Sequence, residues 1–144
     1  MTVYELQQRL KNYNLSREVA EAVNLARVKL ADLNRAQLMQ GRNSINLKIQ
    51  PKYRSTSYAK WKNKRNSKPG YGVPDLFDKG NFQRLIDVKV KGKTYELFSS
   101  DIKAPMLVEK YPFALGLTAK NEEDAAKNII MPILKTNFDN TILK

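Results

Sequence analysis

From Ser16 to Gly41, the apolar residues Val19, Val23, Ala26, Leu30 and Leu33 recur at steps of three and four, the spacing that lines one face of an α-helix. A helix of about 23 residues is roughly 35 Å long. In a chain of 144 residues such an element dictates the rest, which must pack against it or leave part of it to a neighbour. Ser16 is the candidate N-cap and Gly41 the stop. Leu25 and Val28 widen the stripe, which predicts burial on more than one side.

Around this helix the sequence predicts smaller elements. Thr2 and Glu5 make a capping box for a helix to about Lys11, broken by Asn12 to Asn14. Ser44 to Gln50 alternates Ile45, Leu47 and Ile49 with polar residues, the pattern of a half-buried strand that Pro51 ends. Ser55 to Asn66 reads either as a short helix capped by Ser55 or Thr56, or as an extended loop ordered by a partner. Ser67 to Gly72 is loop, and Asp75 to Phe82 is a turn in which Gly80 supplies a backbone geometry other residues resist. A hairpin follows, and a two-residue turn at Lys91-Gly92 would set Val88 against Tyr95 and Ile86 against Leu97. Ser99 to Asp101 offers a cap for a short helix through Met106, Leu107 and Tyr111, which Pro112 stops. Thr118 or Asn121 then caps a C-terminal helix with Glu122, Glu123 and Asp124 at its positive end, and Pro132 should bend or break it.

These elements predict an α+β fold: a long N-terminal helix, a small mostly antiparallel sheet with a hairpin, and a C-terminal helix packed on the sheet. A chain of this length with 42% hydrophobic residues fills one core. A single domain over residues 1–144 is expected, with N-terminal helices in 1–41, strand and basic loop in 42–74, and hairpin and C-terminal helices in 75–144.

The charge is concentrated. Of a net +12, ten basic residues lie between Arg35 and Pro74 with no Asp or Glu among them. Within that stretch Arg42, Lys52, Arg54, Lys60, Trp61, Lys62, Lys64, Arg65 and Lys68 are the candidate binding residues, because cations interleaved with planar rings suit a surface that follows phosphates and stacks on bases. An acidic protein partner would suit the same cations. No helix-turn-helix, zinc-finger or RNA-binding signature is present. Gly80 and Gly92 are assigned as structural turns.

The chain has neither Cys nor His, which removes thiol nucleophiles, Ser-His-Asp triads and zinc sites built on sulfur or imidazole. Asp75 with Asp78 could hold Mg²⁺, but Asp beside Gly and Pro is more often a turn or cap residue. The triplet at 122 to 124 is explained by the helix end it occupies. No catalytic, metal or cofactor site is therefore expected. The N-terminus lacks the basic and apolar regions of an export signal, and no run approaches the length of a membrane span; a soluble, intracellular product without membrane contact is expected.

Three stretches in order, Asp32 to Leu38, Ile49 to Tyr53 with Tyr58-Ala59-Lys60, and Leu76 to Phe82, resemble a family of small tailed-phage proteins best populated in viruses of Bacteroidetes hosts. Ser99 to Ala104, Leu107 to Tyr111 and Gly116-Leu117-Thr118 extend the resemblance over residues 30–118. The segment around Gly80 is also similar to the wider group of phage head-to-tail connector and tail-completion proteins, with Lys79 standing where that group has Thr. The resemblance implies a structural virion protein of the neck or tail, present in the host cytoplasm during assembly. It implies a homo-oligomeric ring, six- or twelve-fold, through which the genome passes, next to portal, connector or tail proteins and in nonspecific contact with packaged DNA. The competing expectation is a stand-alone basic nucleic-acid-binding protein.

Overall fold

In the computed structural model, which describes residues 1–144, Thr2 opens α1 (Val3–Asn12) with the capping box. The Thr2 hydroxyl accepts from the Glu5 N–H at 3.1 Å, and the Glu5 carboxylate accepts from the Thr2 N–H at 2.8 Å. The cap of α2 (Leu15–Leu25) is Asn14, not Ser16: Asn14 has extended backbone, and its side-chain oxygen accepts from the Arg17 N–H at 3.1 Å. A short amide just outside the helix satisfies a first-turn donor, and Ser16 becomes part of that turn.

After the single residue Ala26, α3 (Arg27–Met39) continues the long helix. Hydrogen bonding crosses the joint, since Ala26 N–H reaches the Ala22 carbonyl and Leu30 N–H the Ala26 carbonyl, both at 3.0 Å. Gly41, at φ +69°, ends it. Its N–H returns to Leu38 at 2.8 Å and that of Arg42 to Gln37 at 2.9 Å, the paired closure of a Schellman motif. Val23, Ala26, Leu30 and Leu38 enter the core, but Leu25 and Val28 are 70% and 68% exposed. The apolar stripe is thus wider than the burial this chain provides.

Residues 44–50 form no strand. Asn43 folds the chain over instead: its side-chain oxygen accepts from the Ile45 and Leu47 N–H groups at 3.2 and 2.9 Å. Arg42 and Lys48 face each other across an isolated antiparallel bridge. Ile49 is buried while Ile45 and Leu47 face solvent. A side-chain acceptor that captures two local donors removes the reason to seek a sheet partner.

Ser55 caps α4 (Thr56–Arg65), its hydroxyl accepting from the Tyr58 N–H at 3.2 Å, so the basic segment is helical over these residues. Gly80, at φ +87°, leads into the short α5 (Asn81–Arg84). The hairpin pairs β1 (Ile86–Lys91) antiparallel with β2 (Thr94–Ser99). Its turn is Gly92-Lys93, one place beyond the expected one, so Val88 lies opposite Leu97 and Val90 opposite Tyr95. Gly92, at φ +58°, takes the first central position, where a tight hairpin turn wants glycine. The two-residue register shift leaves every side chain on its expected face, and it brings Lys91 to 2.9 Å from Glu96.

α6 (Ala104–Lys110) has Pro105 in its first turn. The C-terminal helix starts as α7 (Ala119–Asp124), capped by Thr118. It runs through a π-helical segment (Ala125–Ile130) into α8 (Met131–Phe138) and a second π segment (Asp139–Leu143). Pro132 does not break it: the widened turns just before the proline relieve the clash its ring would make in a regular helix. The core joins α2 and α3 to one face of the hairpin, with Ala104, Tyr111, Leu117 and Ala125 completing it. The C-terminal helix lies along α2 and meets α1 at its far end, where the Arg9 guanidinium donates to the Ile142 carbonyl at 3.0 Å. No helix is long and apolar enough to cross a membrane.

Candidate nucleic-acid interface

The frame of the basic surface is set by α3, in which Asn34 and Gln37 are buried and bonded directionally. Asn34 donates to the Ala114 carbonyl at 3.1 Å and accepts from the Gly116 N–H at 3.0 Å. Gln37 donates to the Gly116 carbonyl at 2.9 Å and accepts from the Thr118 N–H at 3.0 Å. The Arg35 guanidinium caps the carbonyls of Gln83, Arg84 and Ile86 at 2.7, 3.3 and 2.9 Å. The stretch Asp32 to Leu38 is therefore a clamp that ties the chain on either side of the hairpin to one helix.

α4 is fixed by a buried ion pair. Lys62 Nζ lies 2.7 Å from Asp75 Oδ1 and also donates to the Phe77 carbonyl. Asp75 takes the Phe77 N–H at 3.0 Å and the Asn66 amide at 3.1 Å. Lys62 is thus removed from the set of partner-facing cations, because its ammonium is buried and committed inside the chain. The same contacts give Asp75 a turn-holding role. Asp78 is exposed while Asp75 is buried, so the two carboxylates do not share a site. Ala59, Lys62 and Asn66, spaced by three and four, make the inner face of α4, and that spacing was the available signal.

The other face of α4 carries Lys60, Trp61, Lys64 and Arg65, all exposed. The Arg65 guanidinium sits 4.6 Å from the centre of the Trp61 ring, Trp61 lies 5.6 Å from Tyr58, and Tyr58 meets Tyr53 edge-on at 4.9 Å. A line of rings capped by a guanidinium results. Burial pushes the Tyr53 hydroxyl well above the usual tyrosine range, with the Asp75 carboxylate adding to it. Tyr58 is raised by burial and then by Asp78 and Asp75. Both phenols stay neutral at physiological pH, so they offer faces and hydrogen bonds and no charge.

Lys52 and Arg54 border a concavity of about 510 Å³ with Tyr53, Tyr58, Lys110 and Tyr111. Lys110 was not predicted from the sequence, since it lies on α6, far along the chain and outside the acid-free segment. Arg42 and Lys68, with Lys48, border a separate concavity of about 480 Å³. Apart from Lys62, no basic side chain from Arg42 to Lys68 has a carboxylate partner.

Gly80 lies in a turn that shares a hollow with Tyr53 and Tyr58, and Gly92 lies away from these surfaces, in the hairpin turn. A Cβ on Gly80 would stand 3.0 Å from the Phe77 ring, whereas one on Gly92 would meet open space. The sequence-predicted residues thus separate into an α4 face, two basic concavities, one buried ion-pair lysine and two turn glycines. No family model, curated protein or solved structure matches this chain.

Proposed function

We propose that this chain is a structural subunit of a tailed-phage particle, forming a closed ring in the head-to-tail connector or tail around the genome channel. The observation that carries the proposal is a basic, aromatic surface without carboxylate partners on a chain that leaves much of its apolar surface uncovered. The accessible surface is 9609 Å², against about 7,600 Å² for a compact monomer of this mass. Leu25, Val28, Ile102, Met106 and Phe113 are among the large apolar side chains left more than half exposed. We read these exposed side chains as contact surface, since a ring covers different patches on the two sides of each subunit. The motif order from Asp32 to Thr118 adds the phage setting.

The aromatic line from Tyr53 to Arg65 favours a second reading, a free-standing nucleic-acid binder. Replacing Lys60, Lys64 and Arg65 with Ser in the encoding virus separates the two. A connector subunit predicts filled heads and free tails accumulating side by side in electron micrographs. Normally joined particles, or a defect confined to nucleic-acid metabolism before packaging, would overturn the connector reading.

A further inference from the structure

We propose that the concavity bounded by Gln40, Arg42, Lys48, Lys68, Pro69 and Gly70 seats the phosphodiester backbone of a nucleic-acid duplex, bound without regard to base sequence. Three cations, Arg42, Lys48 and Lys68, border one hollow, and none of them has a carboxylate partner. Like charges held around a hollow repel one another, and an anion placed between them relieves that repulsion.

The hollow is held by backbone and side-chain contacts. Arg42 N–H closes α3, and the isolated bridge to Lys48 fixes the facing segment. The loop at 68–70 is drawn against the end of α3 because Gly41 has no side chain: a Cβ there would stand 2.6 Å from Pro69 Cβ. Asn66 donates to the Met39 carbonyl at 2.8 Å and accepts from the Lys68 N–H at 3.3 Å. A seat formed in advance avoids the ordering cost that a flexible basic loop would bear on binding.

The lining decides the class of ligand. Apart from Pro69 it holds no aliphatic or aromatic side chain. The centre of a protein–protein interface is apolar and poor in charge, and a single-strand site stacks bases on rings. A hollow with cations and no rings matches phosphate oxygens, and such contacts position a duplex without reading it. The inference deepens the channel reading by naming how the genome is touched, and it rests on that reading only for where the duplex comes from.

The test is the salt dependence of binding of the purified chain to a duplex of about 30 base pairs, followed by fluorescence anisotropy. The triple variant Arg42→Gln/Lys48→Gln/Lys68→Gln is expected to flatten the slope of log K against log salt by about 2.7, at roughly 0.9 per lost phosphate contact. Arg42 is half-buried, so the pair Lys48→Gln/Lys68→Gln, both exposed, serves if the triple variant misfolds, with an expected flattening of about 1.8. Lys29→Gln/Lys120→Gln/Lys135→Gln removes the same charge from exposed positions elsewhere and should leave the slope nearly unchanged. An equal loss in that control, or no loss in the other two, overturns the proposal. So does poly-glutamate competing as well as duplex at equal charge, which would identify an acidic protein as the occupant. Absence of the chain from virus particles would defeat the connector reading and leave this slope untouched.

Discussion

Lys62 and Asp75 bury opposite charges together, so the loss of one leaves the other without compensation. Lys62→Met is expected to lower the unfolding free energy by about 3–5 kcal/mol in urea titrations, whereas the neighbouring exposed change Lys60→Met should stay within about 0.5 kcal/mol. Equal effects would contradict the placement of α4. In sequence the two lysines look alike, two positions apart in one basic run; what separates them is the face shared with Ala59 and Asn66, which is visible only once the segment is taken as a helix. A second prediction concerns alkaline pH. Tyr13, Tyr53, Tyr58 and Tyr95 have raised values in the folded chain, chiefly through burial. The stability this confers is complete below about pH 10, where tyrosine titrates in the unfolded chain, and it is lost as pH rises through the higher folded values. Unfolding midpoints should therefore fall above about pH 10, less so in Tyr53→Phe. Tyrosinate absorbance showing all seven tyrosines titrating normally would refute it.

At the level of elements, local chemistry that closes within a few residues was legible. The Thr2–Glu5 box, the Ser55 cap, the Gly41 stop and the Thr118 cap each depend on side chains adjacent in sequence. What was not legible depended on competition. The alternation of Ser44 to Gln50 is a sound strand pattern, but Asn43 supplies the local acceptor that a strand would need from a partner. The hairpin turn was displaced by one residue because two registers keep the same faces apolar, and the position of Gly92 at the head of the turn decided between them. Glycines offer the sharper test. Gly41 combines a positive φ with a Cβ clash against Pro69, while Gly92 has a positive φ and open space around it. Gly92→Ala should cost about 1 kcal/mol of strain. Gly41→Ala should cost clearly more, since the loop at 68–70 must move. Thermal unfolding of the two variants in the opposite order would show that the end of α3 and this loop are not in contact.

The whole molecule is α+β, as the pattern of its elements implied, yet its core reaches only part of the surface that the sequence made apolar. The amphipathic stripe of the long helix was readable, and the exposure of Leu25 and Val28 was not, because periodicity reports which residues share a face and not whether that face meets anything. The basic surface was legible as a segment, but its division into an α4 face and two hollows, one completed by Lys110 from α6, required the fold. If the uncovered apolar patches are subunit contacts, Leu25→Glu/Val28→Glu should leave the unfolding midpoint of the monomer nearly unchanged and abolish higher oligomers in native mass spectrometry. A monomer destabilised by this pair would instead mean that the patch is covered within the chain.

The central claim, that this chain is a ring subunit of the particle, is tested most directly by quantifying it in purified virus by mass spectrometry against the major capsid subunit. The proposal predicts about six or twelve copies per particle, the number of one closed ring. Absence from mature particles, or a copy number near that of the capsid subunit, would contradict it.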